Sequence, residues 1–152
     1  MRHRRHGAPK RVIAAALAEL ARANVAVLAA SPVVETVPIG PSRRTFANAA
    51  ALVETGRDPG AMLALLQRIE RRFGRRRRGQ RWTARVLDLD LVLWSGGAWR
   101  DPRLTLPHPR FRARGFVLGP ARVIAPGWRD RLTGLTLAQL HRRLTRPRPL
   151  PR

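Results

Sequence analysis

The sequence predicts a single α/β domain, and three patterns carry that expectation. Met62, Leu65, Leu66, Ile69 and Phe73 recur at the 3.6-residue period of a helix with one buried face. Residues 86–94 (VLDLDLVLW) alternate with the period of two expected of a strand. Two further runs with strand character, 25–35 and 46–55, flank a loop fixed by Pro38, Gly40 and Pro41. A chain of 152 residues can bury roughly two-thirds of the surface its unfolded state exposes, so one core suffices without staples. The absence of cysteine excludes a disulfide framework, a thiolate nucleophile and any Cys-ligated metal site.

Taken in order, the first helix is expected over Lys10–Ala23, where Ile13, Leu17 and Leu20 share a face. Its basic approach (Arg2, Arg4, Arg5, Lys10, Arg11) imitates the start of a secretory signal, but Glu19 interrupts the short apolar run that follows. No apolar stretch approaches the roughly 20 residues needed to span a bilayer. The strand from Val25 continues through Ser31-Pro32 towards Glu35, and residues 46–55 (FANAAALVET) return beside it. Asp58-Pro59 then caps the second helix, which ends at Gly74. A basic loop, 75–81, leads into the alternating strand of 86–94. Residues 103–106 form a short strand, 111–125 a helical region, and Thr136–Leu144 a last helix. Residues 1–9 and 145–152 are expected to be flexible ends of the one domain.

The 31 basic residues, all arginine but Lys10, face 9 acids and leave a formal net charge of +22. Two readings stand: a surface built for polyanions, or compositional drift in an Ala/Arg/Leu/Pro-rich proteome. The arginines run along the whole chain, so the informative question is which of them converge.

The alternation of 86–94 places Asp88 and Asp90 on one face and Leu87, Leu89 and Leu91 on the other. Two neighbouring carboxylates repel unless cations lie between them, and Mg²⁺ suits a few hard oxygens completed by substrate phosphates. The alternative is a solvated face paired with arginines, and the pattern alone does not decide. His108 sits between Pro107 and Pro109, where its imidazole could donate to a phosphate, or could be structural. Phe46 and Asn48 point to one side of their strand, as a stacking ring and a pairing amide for a flat heterocycle would, or as core residues would. Neither a P-loop nor a dinucleotide fingerprint is present.

These segments, in this order, resemble the 6-hydroxymethyl-dihydropterin pyrophosphokinases of folate biosynthesis. The likeness runs from Ser31 to Leu144 and includes ETVPIGP (35–41), FANAA (46–50), QRIE (67–70), GRRR (74–77), RWTARVLDLD (81–90), LTLPHP (104–109) and RGFVL (114–118). The resemblance implies a ferredoxin-like α/β sandwich with an antiparallel sheet, and transfer of a pyrophosphoryl group from ATP to a pterin alcohol. It implies two Mg²⁺ ions held by Asp88 and Asp90, with Arg75 and Arg85 catalytic beside them. Arg75, Arg77, Arg85, His108 and Arg114 would hold the triphosphate, with Gln67, Glu70 and Thr105 on the nucleotide side and Trp82 covering the site. Phe46 and Phe116 would sandwich the pterin, Asn48 would pair with its edge, and Thr36, Ile39 and Gly40 would complete that pocket.

The resemblance further implies a cytoplasmic monomer acting on small molecules, with neither nucleic acid nor membrane as partner. One departure is conspicuous. The family begins with a strand carrying a Gly-Ser-Asn element, and residues 1–9 (MRHRRHGAP) offer none, so the first strand is expected to be missing. An upstream start, an inactive copy, or a slot filled by a partner or the tail would each explain it. Phe46 also stands where tyrosine is common. The rival class is a basic nucleic-acid-binding module over Arg71–Arg85, but Trp82 is the one aromatic clearly interleaved with those arginines.

Overall fold

The computed structural model describes residues 9–36, 46–74 and 87–151. Helix α1 (Pro9–Arg22) buries Val12, Ala16 and Leu20, one per turn. It ends because Asn24 takes the left-handed conformation at φ 61°, which an asparagine adopts at little cost. The Val25 N–H then reaches back to the Leu20 carbonyl at 3.0 Å and that of Asn24 to Ala21 at 3.1 Å. Leu20 and Val25, which that closure brings together, are both members of the first core cluster.

Each of the two long strands expected from the sequence is broken into two. Strand β1 (Ala26–Ala30) pairs antiparallel with β4 (Ala51–Glu54), and β2 (Val34–Thr36) pairs antiparallel with β3 (Phe46–Asn48). The break falls at Pro32, which has no N–H to give to a ladder. Buried Ser31 bridges it: its N–H donates to the Ala50 carbonyl at 2.8 Å, and its Oγ accepts from the Ala50 N–H at 2.9 Å. A bulge between Val27 and Ala29 bends β1 further.

Helix α2 (Pro59–Gly74) is capped as expected, the Ala61 N–H donating to Asp58 Oδ1 at 2.7 Å. Its buried Met62, Leu65, Leu66 and Ile69 join Leu20 and Val25 in the first core. The expected strand of 86–94 is only half confirmed. Leu87, Leu89 and Leu91 pack on that core while Asp88 and Asp90 are exposed, so the alternation holds over 87–91 and lapses at 92–94, which are all half-buried. No ladder forms along residues 87–94, because no described strand lies alongside to pair with them; Val86 lies outside the described residues.

The strand expected over 103–106 shortens to β6 (Thr105–Leu106), paired antiparallel with β5 (Trp99–Arg100). Asp101 shortens it: its Oδ1 takes the Arg103 and Leu104 N–H groups at 2.7 and 2.9 Å, which turns the chain there. The expected helical region 111–125 is a 3-10 turn, Phe111–Ala113, followed by α3 (Gly115–Ile124), with extended Arg114 between them. Helix α4 (Leu137–Thr145) carries a complete capping box between Thr136 and Gln139. Phe111, Leu118, Leu137 and Leu140 form a second core, which Val92 and Leu93 join from the 87–94 segment.

The fold class is therefore α/β with antiparallel pairing throughout the described strands. Those strands form three two-stranded pairs, and the continuous sheet of a ferredoxin-like sandwich is not assembled among them. Residues 1–8, which bear on the missing first strand, lie outside the described residues, while 146–151 carry no regular element and are exposed.

Candidate active site

The 87–94 segment is where the two cores meet, and its outward face carries the predicted metal ligands. Leucines at 87, 89 and 91 fix the backbone from below, so the carboxylates of Asp88 and Asp90 are presented on core-anchored chain. A hydrogen bond from α2 adds to this anchoring. Glu70 Oε1 accepts the N–H of Leu89, between the two aspartates, at 2.7 Å.

Two residues further on, the Val92 carbonyl accepts the backbone N–H of His108 at 2.9 Å. That bond draws the loop after β6 against the aspartate segment. His108 Nδ1 in turn accepts the Arg110 N–H at 3.1 Å. An imidazole with Nδ1 acting as acceptor keeps its proton on Nε2, which leaves an N–H donor for an incoming anion. Thr105 is exposed on β6, beside Arg100 in the register.

Arg114 links two parts of the predicted site. Its carbonyl caps α3 by accepting the Val117 and Leu118 N–H groups, each at 3.0 Å, and its guanidinium lies 5.6 Å from the centroid of the Phe116 ring. A predicted phosphate ligand and a predicted pterin-stacking ring are thus in direct contact. Phe116 and Asn48 line one cleft of about 360 Å³ together with Pro32, Val34 and Arg122. Phe46 is 56 % exposed on β3, two residues from Asn48, but is not among the residues lining that cleft. Thr36 ends β2 opposite Phe46 in the register.

Gln67 faces a second, wider groove of about 570 Å³ with Arg57, Arg68, Arg71 and Arg103. Sequence reasoning missed these four arginines as a group. The spacing of Arg68 and Arg71 around Gln67 could have suggested the helical pair, but the additions from residues 57 and 103 needed the fold. Arg122 in the Phe116 cleft was missed likewise. Six predicted site residues, Ile39, Gly40, Arg75, Arg77, Trp82 and Arg85, lie outside the described residues. Among the described residues, no group of three or more His, Asp or Glu side chains converges as a metal cage.

Two carboxylates outside the 87–94 segment are held below the usual carboxylate range. Asp130 is fully buried, and the Arg112 guanidinium holds its carboxyl down at about 2, helped by the Thr133 hydroxyl and the Leu132 N–H against the opposing effect of burial. Arg112 meets it through Nε and a terminal nitrogen at 2.5 and 2.7 Å. Asp101 is lowered by the Trp99 indole N–H and by the backbone N–H of Arg103. Both staple turns, and neither faces the aspartate pair's segment through any described hydrogen bond.

A family model described as 7,8-dihydro-6-hydroxymethylpterin-pyrophosphokinase matches residues 5–126. The chain is 37% identical over 126 residues to the 2-amino-4-hydroxy-6-hydroxymethyldihydropteridine pyrophosphokinase of Synechocystis, covering 82% of this chain and 64% of that relative. It is 38% identical over 123 residues to the protein of that name from Pseudomonas aeruginosa, covering 80% of this chain and 75% of the relative. Over 107 residues it is 44% identical to the Mycobacterium leprae protein of that name, covering 62% of this chain and 56% of the relative. The matched stretch thus spans less than two-thirds of the Synechocystis and Mycobacterium relatives.

Proposed function

Because this chain belongs to the 7,8-dihydro-6-hydroxymethylpterin-pyrophosphokinase family, we propose that it transfers the pyrophosphoryl group of ATP to 6-hydroxymethyl-7,8-dihydropterin. The observation that carries the proposal is the pair of outward carboxylates, Asp88 and Asp90, on backbone whose alternate leucines are packed into the core. Exposed hard oxygens set two apart on a held segment fit Mg²⁺, which takes one or two carboxylates and completes its shell with water and phosphate oxygen. Asp88 and Asp90 are the residues that would hold it, two ions being the number proposed. Bound there, the metal would neutralise phosphate charge and orient the polyphosphate.

The protein's own groups supply the rest. The hydroxymethyl oxygen of the pterin forms a bond to the β-phosphorus of ATP, the bond from that phosphorus to the α–β bridging oxygen breaks, AMP leaves, and the hydroxyl proton passes to solvent. In-line displacement of this kind depends on positioning and on charge neutralisation. His108 Nε2–H and the Arg114 guanidinium serve as donors to phosphate oxygens, and Arg75, Arg77 and Arg85 are proposed to share that task. Gln67 and Thr105 are proposed to contact the nucleotide, and Trp82 is proposed to cover it. Phe116 and Phe46 hold the pterin faces and Asn48 its edge, with residues 36, 39 and 40 completing the pocket. The same proposal takes the chain as a cytoplasmic monomer acting on small molecules.

Product analysis tests it. Purified protein with ATP, Mg²⁺ and the reduced pterin alcohol is expected to release AMP only when pterin and metal are both present. A folded, monodisperse sample that releases none overturns the reading.

A further inference from the structure

The hydrogen bond from Leu89 to Glu70 points to a role for Glu70 that differs from contact with nucleotide. Leu89 is the residue between Asp88 and Asp90, and its N–H is donated to Glu70 Oε1 at 2.7 Å. Residues 87–94 have no ladder partner among the described strands, so this side chain does for the backbone what a neighbouring strand would otherwise do. Glu70 itself is well placed for the task. It follows buried Ile69 and is half-buried near the C-terminal end of α2, whose buried face shares its core with Leu87, Leu89 and Leu91. The leucines fix how far the segment sits from the helix, and the carboxylate fixes its register along it.

We propose that Glu70 is a positioning residue: it sets the orientation of Asp88 and Asp90 through the Leu89 amide, and so acts on the cation–phosphate complex without touching nucleotide. This rests on the metal-holding role proposed for those aspartates. A charge-assisted hydrogen bond to a backbone N–H is among the stronger single bonds available to a protein, and outer partners of metal ligands typically matter about 10- to 100-fold in metal affinity or activity.

Two variants separate reach from charge. Glu70→Gln keeps an oxygen acceptor at the same distance without the charge, whereas Glu70→Asp keeps the charge on a side chain one methylene too short. Each is compared with wild type by Leu89 amide hydrogen exchange and by titration of Mn²⁺ in the presence of a non-hydrolysable ATP analogue, with thermal melting as a control for folding. Positioning predicts that Glu70→Asp exposes the Leu89 amide to faster exchange and weakens Mn²⁺ binding by about tenfold or more. Glu70→Gln is then expected to recover most of both. The reverse order, with Glu70→Asp binding better than Glu70→Gln and Leu89 exchange unmoved, would show a direct electrostatic contact with the nucleotide complex and overturn the proposal. Equal binding by all three proteins, or no Mn²⁺ binding by wild type, overturns it as well. Failure of the activity is distinguishable: a wild type that makes no AMP while the Gln-over-Asp order holds leaves the positioning role standing and removes the pyrophosphokinase reading.

Discussion

Two carboxylate neighbourhoods in this molecule are built on opposite plans. Asp130 has no exposed surface and accepts from Arg112 twice, from the Leu132 N–H and from the Thr133 hydroxyl, so it ties the 3-10 turn at Phe111–Ala113 to the loop before α4. Asp88 and Asp90 stand exposed on a segment that is fixed instead by its leucines and by the bond from Leu89 to Glu70. In the first region the acid is the fastener. In the second the fastening is done by neighbours, and the acids stand on the exposed face of the segment. Burial and four accepted hydrogen bonds mark the structural carboxylate here, while the candidate catalytic ones are recognised by what holds their backbone.

The comparison makes its sharpest prediction for substitutions at the two places. Asp88→Asn or Asp90→Asn is expected to lower kcat by about 100- to 1000-fold, the range seen when one preorganised charge-stabilising group is lost. Thermal midpoints should move by no more than about 2 °C, as for other exposed substitutions. Asp130→Ala should do the reverse. It strands Arg112 beside the buried core and should cost about 3–5 kcal/mol, read as a lower denaturant midpoint, while the protein that stays folded keeps its KM for ATP. Substantial unfolding of Asp88→Asn, or full stability of Asp130→Ala, would break the contrast.

The unequal legibility of the two regions has a physical cause. Helices α1 and α2 were readable because their apolar residues repeat at one period and, for α2, because Asp58-Pro59 signals its start, whereas the capping box of Thr136 and Gln139 that begins α4 emerged only with the structure. Asp88 and Asp90 were readable as a same-side pair because alternation is a local property of extended chain. What the pattern did not contain was whether another strand would lie alongside: residues 87–94 form no ladder with the described strands, and the alternation holds over 87–91, whereas Val92 and Leu93 both pack on the second core. The strand expected to run through Ser31-Pro32 breaks there, and the repair of the break by the Ser31 hydroxyl needs Ala50, nineteen residues away. Non-local gatherings were hidden for the same reason. Nothing in the order of residues announces that Arg112 meets Asp130, or that Arg57 and Arg103 border the groove at Gln67.

Acid should loosen the Asp130 fastening only below the ordinary carboxylate range. The folded-state pKa of Asp130, at about 2, lies below its ordinary value of 3.8. Its contribution is therefore complete at pH values well above the ordinary carboxylate range, and it is lost as pH falls through 3.8 towards 2. Linkage puts that contribution at about 2 kcal/mol. Stability followed by urea unfolding from pH 6 to pH 2 should fall more steeply in wild type than in Asp130→Asn, which starts lower but has no proton to take up there. Parallel curves would mean that Asp130 is not the fastener it is described as.

The smallest expected effect extends the contrast from acids to rings. Phe111 and Phe116 each lie under an arginine, Arg112 at 4.7 Å and Arg114 at 5.6 Å from the ring centroid. Phe111 is wholly buried in the second core, whereas Phe116 is 50 % exposed at the mouth of the cleft that Asn48 also lines. A half-exposed ring contributes little to folding, so Phe116→Ala should leave the melting temperature nearly unchanged. Its stacking surface is worth about 0.5–1.5 kcal/mol beyond area burial, which predicts a KM for the pterin raised up to roughly tenfold. The KM for ATP should move less, although Arg114 loses the ring it rests on. Measuring both constants in one variant decides the matter: a rise confined to ATP would place Phe116 on the phosphate side of the site, as a support for Arg114 and not as a wall of the pterin pocket.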